Sequence, residues 1–492
     1  MASSKNKKKY SLIILLVALA ILIALLLLLK DKNKDNNIEE ESEDTTIAEI
    51  DISKIKEVSY ENEYDSFKFT KNDDGTWVNA KDSTFPLEQA NLNSIENNVE
   101  TINYSLIVSK NPEDLSEYGL DEPVISAIIT MDDGTKTSLK FGIKVPVTDG
   151  YYAMINNDSS VYVISNNLYS VFNKSKSDIL TIEELPSIGA DSIGYVKLTS
   201  EDKVILEMKY NKNETIGLSG YNNWQILQPY DSSMEASTYT VLEYLEKFGD
   251  LSYSKRMDYK TDDLAQYGLD NPSNIIYIEY IESFSDNDGQ ETQETSDVNK
   301  KRSNHTLELH LGVTNEKGDY YAKTPDSNSV HIIGKGIITD LVDVDPFRLL
   351  EKGLTSINIE TVDSIKVRSE QEEYVMEIKR DTANAEEDSE EGEEVQAAYY
   401  IDDVEVEEDN LKTVYQYIIK PRGEKLIPED YVHDKSDTPL LWVTFNRNTK
   451  EDQTVDAKYY IYDDNYCVAD INGDMIYVTD RRIIEEVIQA FE

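Results

Sequence analysis

A block of ten residues in this chain occurs twice, identical at seven positions. Asp114-Leu115-Ser116-Glu117-Tyr118-Gly119-Leu120-Asp121-Glu122-Pro123 returns 149 residues later as Asp263-Leu264-Ala265-Gln266-Tyr267-Gly268-Leu269-Asp270-Asn271-Pro272. Two further markers travel with this block in the same order. Trp77 returns as Trp224, 147 residues on, and Tyr151-Tyr152-Ala153 returns as Tyr320-Tyr321-Ala322, 169 residues on. The larger last offset matches about twenty extra residues, the acidic stretch Ser285 to Asn304. A chain of 492 residues with such a period is built from one unit used repeatedly, not from one large core.

A third, eroded copy follows. Asp363-Ser364-Ile365-Lys366-Val367 resembles Asp191-Ser192-Ile193-Gly194-Tyr195-Val196. Ile427-Pro428-Glu429-Asp430-Tyr431 stands where the Tyr-Gly-Leu block belongs but lacks the Gly-Leu. Tyr459-Tyr460 is read as the tyrosine pair, and Met475-Ile476-Tyr477-Val478 as the counterpart of Ser160-Val161-Tyr162-Val163.

The copies share one reading. Alternating apolar residues such as Phe67 and Phe69 give a strand, and Asp74-Gly75 before Trp77 gives a hairpin turn. Leu92, Ile95, Val99 and Ile102 make one apolar stripe of a helix. Val241, Leu242, Leu245 and Phe248 repeat it, as do Leu411, Val414, Tyr415 and Ile418. In the Tyr-Gly-Leu block, Gly119 and Gly268 are expected at positive φ. Pro123 and Pro272 then open a strand, Asp132-Asp133-Gly134-Thr135 turns it back, and further strands hold the tyrosine pair and Val161 to Ile164. Short helices close the copies at Leu168, Val171, Phe172; at Ile337, Ile338, Leu341; and at Ile483, Ile484, Val487, Ile488. Hairpin-linked strands interrupted by lone helices predict an α+β fold with antiparallel sheets.

The beginning of the chain is of another kind. Lys5, Lys7, Lys8 and Lys9 precede an apolar run from Tyr10 to Leu29. Twenty helical residues at about 1.5 Å each span about 30 Å, the thickness of bilayer hydrocarbon. A cleaved signal has a shorter apolar region before its small-residue site; here Ala18-Leu19-Ala20 lies inside the run. The run is therefore read as an uncleaved transmembrane helix, with the lysines holding the N-terminus in the cytoplasm and the body outside.

Charge excludes one class of function. Forty-eight basic residues against 96 acidic ones leave −48, and the first 34 residues hold seven of the lysines. The remainder carries 41 basic and 95 acidic residues, and such a surface repels nucleic acid. Much of the excess sits in Glu39 to Asp44, in Ser285 to Asn304 and in Thr382 to Glu394, which read as a solvated stalk and two hairpin loops. Lys far exceeds Arg, and Asn, Ile and Tyr are abundant, as in AT-rich bacterial genomes; a lone cysteine, Cys467, allows no internal disulfide.

No catalytic pattern stands out. His305 and His310 lie five apart on an alternating strand and point to opposite faces, so they are not a metal pair. His331 and His433 stand alone in sequence, and no Gly-x-Ser-x-Gly, His-Glu-x-x-His or P-loop occurs. Cys467, between Tyr466 and Val468, reads as a buried thiol. Asp286-Asn287-Asp288-Gly289 places its Gly too early for a calcium loop and lacks the closing Glu. Tyrosine, 33 residues against 10 Phe, suits half-buried strands and also binding surfaces. Tyr151, Tyr152, Tyr320 and Tyr321 are the binding candidates.

Trp77, Phe85-Pro86, Asp114 to Pro123, Asp133-Gly134, Gly142, Tyr151-Tyr152-Ala153 and Val161-Tyr162-Val163 together resemble the bacterial family called domain of unknown function 4340. The likeness is good over about residues 50–350 and poor beyond 360. That resemblance implies a cytoplasmic tail, one membrane helix and a repeated exported body, encoded beside ABC-type exporter genes. It supplies no catalytic residues.

The expected organisation is a tail (1–9), a transmembrane helix (10–29), a disordered acidic linker (30–47) and modules over 48–186, 187–355 and 356–492. Trp77, Tyr118, Gly119, Leu120, Pro123, Trp224, Tyr267, Gly268, Leu269 and Pro272 are read as structural. The expected protein is a non-enzymatic, single-pass accessory or binding module of the cell envelope of a Gram-positive bacterium. It needs no cofactor, and its partners are the membrane and an ABC-type permease or other envelope protein. A carbohydrate or divalent-cation binder and an unfamiliar envelope hydrolase are the alternatives.

Overall fold

The computed structural model describes residues 45–156, 158–212, 216–283, 302–370, 372–380 and 397–491. The expected membrane helix and most of the linker lie outside the described residues; Thr46 and Ile47, expected in the linker, begin a strand. So do the acidic loops, except that Arg302 to Asn304 open a strand. Among the described residues no helix is long and apolar enough to cross a membrane.

The chain divides into two compact units, residues 1–175 and 176–492. The first contains β1 (Thr46–Glu49), β2 (Ile55–Glu61), β3 (Ser66–Lys71), β4 (Trp77–Asn79), α1 (Gln89–Val99), β5 (Thr101–Asn103), β6 (Leu106–Ser109), β7 (Ile125–Met131), β8 (Lys136–Lys144), β9 (Gly150–Ile155), β10 (Val161–Ser165) and α2 (Asn166–Ser170). β1 pairs with β5, and the rest form an antiparallel sheet in the order β4-β3-β2-β7-β8-β9-β10-β6.

The second unit opens with β11 (Ile193–Ser200), β12 (Lys203–Tyr210), β13 (Trp224–Gln228), β14 (Met234–Ala236), α3 (Thr238–Leu245), β15 (Lys255–Asp258), β16 (Asn274–Ser283), β17 (Arg302–Thr314), β18 (Tyr320–Lys323), β19 (Val330–Ile333), α4 (Lys335–Val342) and α5 (Pro346–Leu349). It continues with β20 (Val362–Ser369), β21 (Glu373–Arg380), β22 (Ala397–Ile401), β23 (Val404–Val406), α6 (Glu408–Ile418), β24 (Lys425–Leu426), β25 (Leu441–Arg447), β26 (Thr454–Ile461), β27 (Tyr466–Ile471), β28 (Asp474–Asp480) and α7 (Arg481–Gln489). Its two large sheets run β14-β13-β12-β11-β16-β17-β18-β19-β15 and β23-β22-β21-β20-β25-β26-β27-β28-β24. The first sheet has the same order with β14 and its counterpart β23 absent from the edge.

Residue register carries the likeness further. Val58, Val196 and Ile365 face Ile129, Ile278 and Phe445 across the same central pair of strands. Two strands along, Phe141, Leu311 and Tyr459 face Ala153, Ala322 and Ala469. This corrects one reading of the third copy. Tyr459-Tyr460 lies on β26, the counterpart of β8, so the tyrosine pair has been replaced by Cys467-Val468 on β27. Tyr399 faces Ile378 at the position where Trp77 faces Lys71 and Trp224 faces Tyr210.

Alternation explains the packing. Val58 and Tyr60 are buried on β2 while Glu57 and Ser59 turn outward. Each fully buried apolar side chain contributes about 1.5–3 kcal/mol. In the first unit Leu92, Ile95 and Val99 of α1 are buried as the stripe requires, and Ile102 is buried on β5. Gln89 fastens the start of α1 to β4 through both backbone groups of Trp77, at 2.8 and 2.9 Å. In α3 the stripe differs: Val241, Tyr244 and Leu245 are buried and Leu242 is exposed, and Phe248 follows in a 3₁₀ turn. Tyr244 takes the inner place because its hydroxyl donates to the Leu341 carbonyl at 2.8 Å, which satisfies its polar end.

The second and third sheets share one apolar core, from Ile188 to Val487. The first unit closes at Ser175, before the expected module boundary at 186.

Candidate functional site

The repeated residues build a lock inside each of the first two sheets. Ser116–Tyr118 and Ala265–Tyr267 form single 3₁₀ turns that end on Gly119 and Gly268, at φ +66° and +64°. Leu120 and Leu269 then turn into the core, their amides donating to Leu115 and Leu264 carbonyls at 3.1 and 3.0 Å. The glycines lie against Ile143 and Val313, where a Cβ would stand 2.7 Å from a side-chain methyl. Gly142 and Gly312 complete the fit, because a Cβ on either would run into the carbonyl oxygen of Tyr118 or Tyr267. Both sit where β8 and β17 slip register against their neighbours. The slip lets the turn settle on the strand.

The tyrosine pairs belong to this lock. The Tyr118 ring packs edge-on against Tyr152 at 5.1 Å, and Tyr267 against Tyr321 at 4.9 Å. Tyr151 stacks on Tyr169 at 3.6 Å, and Tyr320 packs against the second unit's core. All four candidates are half-buried, Tyr151 and Tyr152 in the first unit and Tyr320 and Tyr321 in the second. Trp77 and Trp224 are fully buried, and Pro123 and Pro272 are half-buried at the approach to β7 and β16.

The third sheet does without the lock. Tyr460 occupies the register position of Gly142 and Gly312, and β26 pairs with β27 without a slip. Tyr431, His433, Tyr460 and Tyr462 fill the place instead, with His433 and Tyr460 rings 4.3 Å apart and Tyr431 and Tyr462 5.7 Å apart.

A better-formed cleft lies within the second unit, between the second and third sheets. It encloses about 260 Å³ and is lined by Glu235, Glu351, Asp474 and Tyr477 among others, with no basic side chain among the described residues. Glu235 is on β14, and Glu351 follows α5. A backbone bridge between Ala236 and Leu350, and the Glu351 amide donating to the Glu235 carbonyl at 3.0 Å, bring them together. The buried Asn222 amide donates to both carboxyls, at 2.7 Å to Glu235 Oε1 and 3.0 Å to Glu351 Oε2. Glu351 Oε1 also accepts from the Gly353 amide at 2.7 Å. Burial pushes the Glu235 carboxyl up to about 7, and the Glu351 charge adds to this against the Asn222 hydrogen bond. Two carboxyls on one amide nitrogen hold one proton more easily than two negative charges. Sequence reading missed this pair, because Glu235 and Glu351 stand in no shared pattern and meet only through tertiary pairing.

A second polar cluster surrounds His331. Its ring is almost wholly buried, stacks on Tyr253 at 4.0 Å and makes no hydrogen bond among the described residues, with Glu183 Oε2 standing 3.5 Å from Nε2. The neighbouring Arg256 guanidinium donates to Glu183, to Ser329 Oγ at 2.6 Å and to the Thr181 carbonyl at 3.3 Å. Burial, and then the Arg256 charge, push the histidine down to about 4, so it is neutral at pH 7. His331 occupies the register position of Tyr162 and Tyr477. Cys467 is buried and free, its thiol pushed up to about 12 by burial. Among the described residues no group of three or more His, Cys, Asp or Glu is placed to hold a metal ion.

A family model described as a domain of unknown function (DUF4340) matches residues 77–254 and again residues 224–414. The two matches begin on Trp77 and Trp224, the first marker of each copy. No curated protein and no solved structure matches the chain. The overlapping matches span well over half of the sequence, and the chain belongs to the DUF4340 family.

Proposed function

We propose that this chain is a non-enzymatic, membrane-anchored accessory protein of the cell envelope, with residues 10–29 as its anchor and its acidic body outside. The body is read as three tandem modules over 48–186, 187–355 and 356–492, presenting surfaces to an envelope partner. An ABC-type transporter is the partner class that the family resemblance suggests. The observation that carries this reading is where the repeated residues go: the tryptophans, the Tyr-Gly-Leu turns and the tyrosine pairs are spent inside their sheets. The repeat thus multiplies a scaffold, not a reaction centre. Affinity capture of the full-length chain from membranes in mild detergent tests it. Recovery of a permease or ATPase is expected, and recovery of the chain alone contradicts the proposal.

A second reading, as a binder of divalent cations or carbohydrate, is favoured by the acidic cleft at Glu235 and Glu351. Calorimetry with Ca²⁺ and with cell-wall fragments tests that reading, and absence of both heat and a shift in melting temperature ends it.

A further inference from the structure

The Glu235–Glu351 pair stands at the joint between the second and third sheets. Glu351 lies on the connector that leaves α5. On one side its amide is held by the Glu235 carbonyl. On the other its carbonyl accepts from the Tyr477 hydroxyl of β28 at 3.0 Å. The backbone carbonyl of the next connector residue, Lys352, accepts from the Gly423 amide at 2.7 Å. The same few residues therefore carry both carboxyls and the backbone bonds that join the sheets.

We propose that Glu235 and Glu351 form a proton-operated latch, in which one proton taken from solvent closes the joint between the second and third sheets and its loss loosens it. The groups facing the pair make this possible. From β28 come Asp474 and Tyr477, and the Tyr477 hydroxyl feels the charges of Glu235 and Glu351 as well as Tyr230. Lys352 directs its ammonium over the Phe347 ring at 4.3 Å. Arg447 of β25 ends on the Leu218 carbonyl, at 3.5 Å, beside the cleft. Gly217 presses its backbone against the Glu235 carboxyl, where even a Cβ would collide. Among the described residues no basic side chain lines the cleft to balance a second carboxylate charge. Glu235 is therefore easier to protonate in the folded protein, and folding at this joint is favoured as pH falls through about 7 towards the ordinary carboxylate range.

Hydrogen exchange of the full-length protein tests the latch at the amides of Glu351 and Gly423. One coupled proton gives about a tenfold rise in their protection factors between pH 8 and pH 6. Glu235→Gln should hold protection at the acid level throughout. Glu351→Gln should move the rise to lower pH, because burial of Glu235 remains. Glu243→Gln, on the exposed face of α3, should leave the rise intact. The same pH dependence in wild type and Glu235→Gln overturns the proposal. So does a rise at pH 8 on adding millimolar Ca²⁺, which would make the pair a metal site.

Discussion

In the first and second sheets a turn rests on a glycine, and in the third an aromatic ring stands on the same spot. Gly142 and Gly312 allow the carbonyls of Tyr118 and Tyr267 to lie against the strand. Tyr460 forbids that approach, and the chain before β25 takes another path around Tyr431 and His433. Strand order and register survive the change. The sheet is thus specified by its inward-facing alternation, and the lock over its edge can be rebuilt with other residues.

The largest test of this comparison is at the tryptophan position. Trp77→Ala and Trp224→Ala should each cost about 4 kcal/mol in chemical denaturation, since both rings are fully buried. Tyr399→Ala, at the same register position but half-buried, should cost about 2 kcal/mol. Equal losses at all three would break the distinction between the copies.

The position shared by Tyr162, His331 and Tyr477 separates the sheets by pH. The folded protein keeps His331 neutral down to about 4, whereas the unfolded chain takes up a proton near 6.5. His331 by itself therefore lowers the stability of the second unit as pH drops through that window, by about 3 kcal/mol in full. This is opposite in sign to the Glu235 contribution, so the loss is read as the difference between wild type and variant. His331→Phe should remove this loss. Exchange at the amides of β10 in the first sheet should lack it, because Tyr162 does not titrate in that range.

A smaller effect belongs to the turn glycines. Gly119→Ala and Gly268→Ala force a side chain into a left-handed conformation, at about 1–2 kcal/mol each. At Gly119 the Ile143 methyl can shift, with the backbone nitrogen 3.1 Å from the new carbon, whereas at Gly268 the Val313 backbone nitrogen would stand 2.9 Å away, so Gly268→Ala is the costlier of the two. A larger loss than at Gly142 or Gly312 would reverse the ranking of turn strain and close approach.

Much of the fold is legible in the residues themselves. The stripes of α1 and α6, the strand alternation and the Tyr-Gly-Leu turn follow from local chemistry that needs no partner. The exchange of Leu242 for Tyr244 in α3 was not legible, because it depends on a carbonyl supplied by Leu341 far along the chain. The tyrosine pair was misplaced in the third copy because Tyr459-Tyr460 has the right letters on the wrong strand. Glu235 and Glu351 give no sequence signal, since acidic residues are everywhere and only the bridge at Ala236 and Leu350 selects these two. The common core of the second and third sheets was likewise invisible, because each copy's apolar pattern is complete by itself.

The claim that one sheet is built three times with two kinds of lock is tested most directly by denaturation of Gly312→Ala beside Tyr460→Phe. The account predicts a loss of about 3 kcal/mol for Gly312→Ala, as the new carbon meets a backbone oxygen that cannot move aside, and under about 1 kcal/mol for Tyr460→Phe. A neutral Gly312→Ala would show that no turn is locked there and would contradict the account.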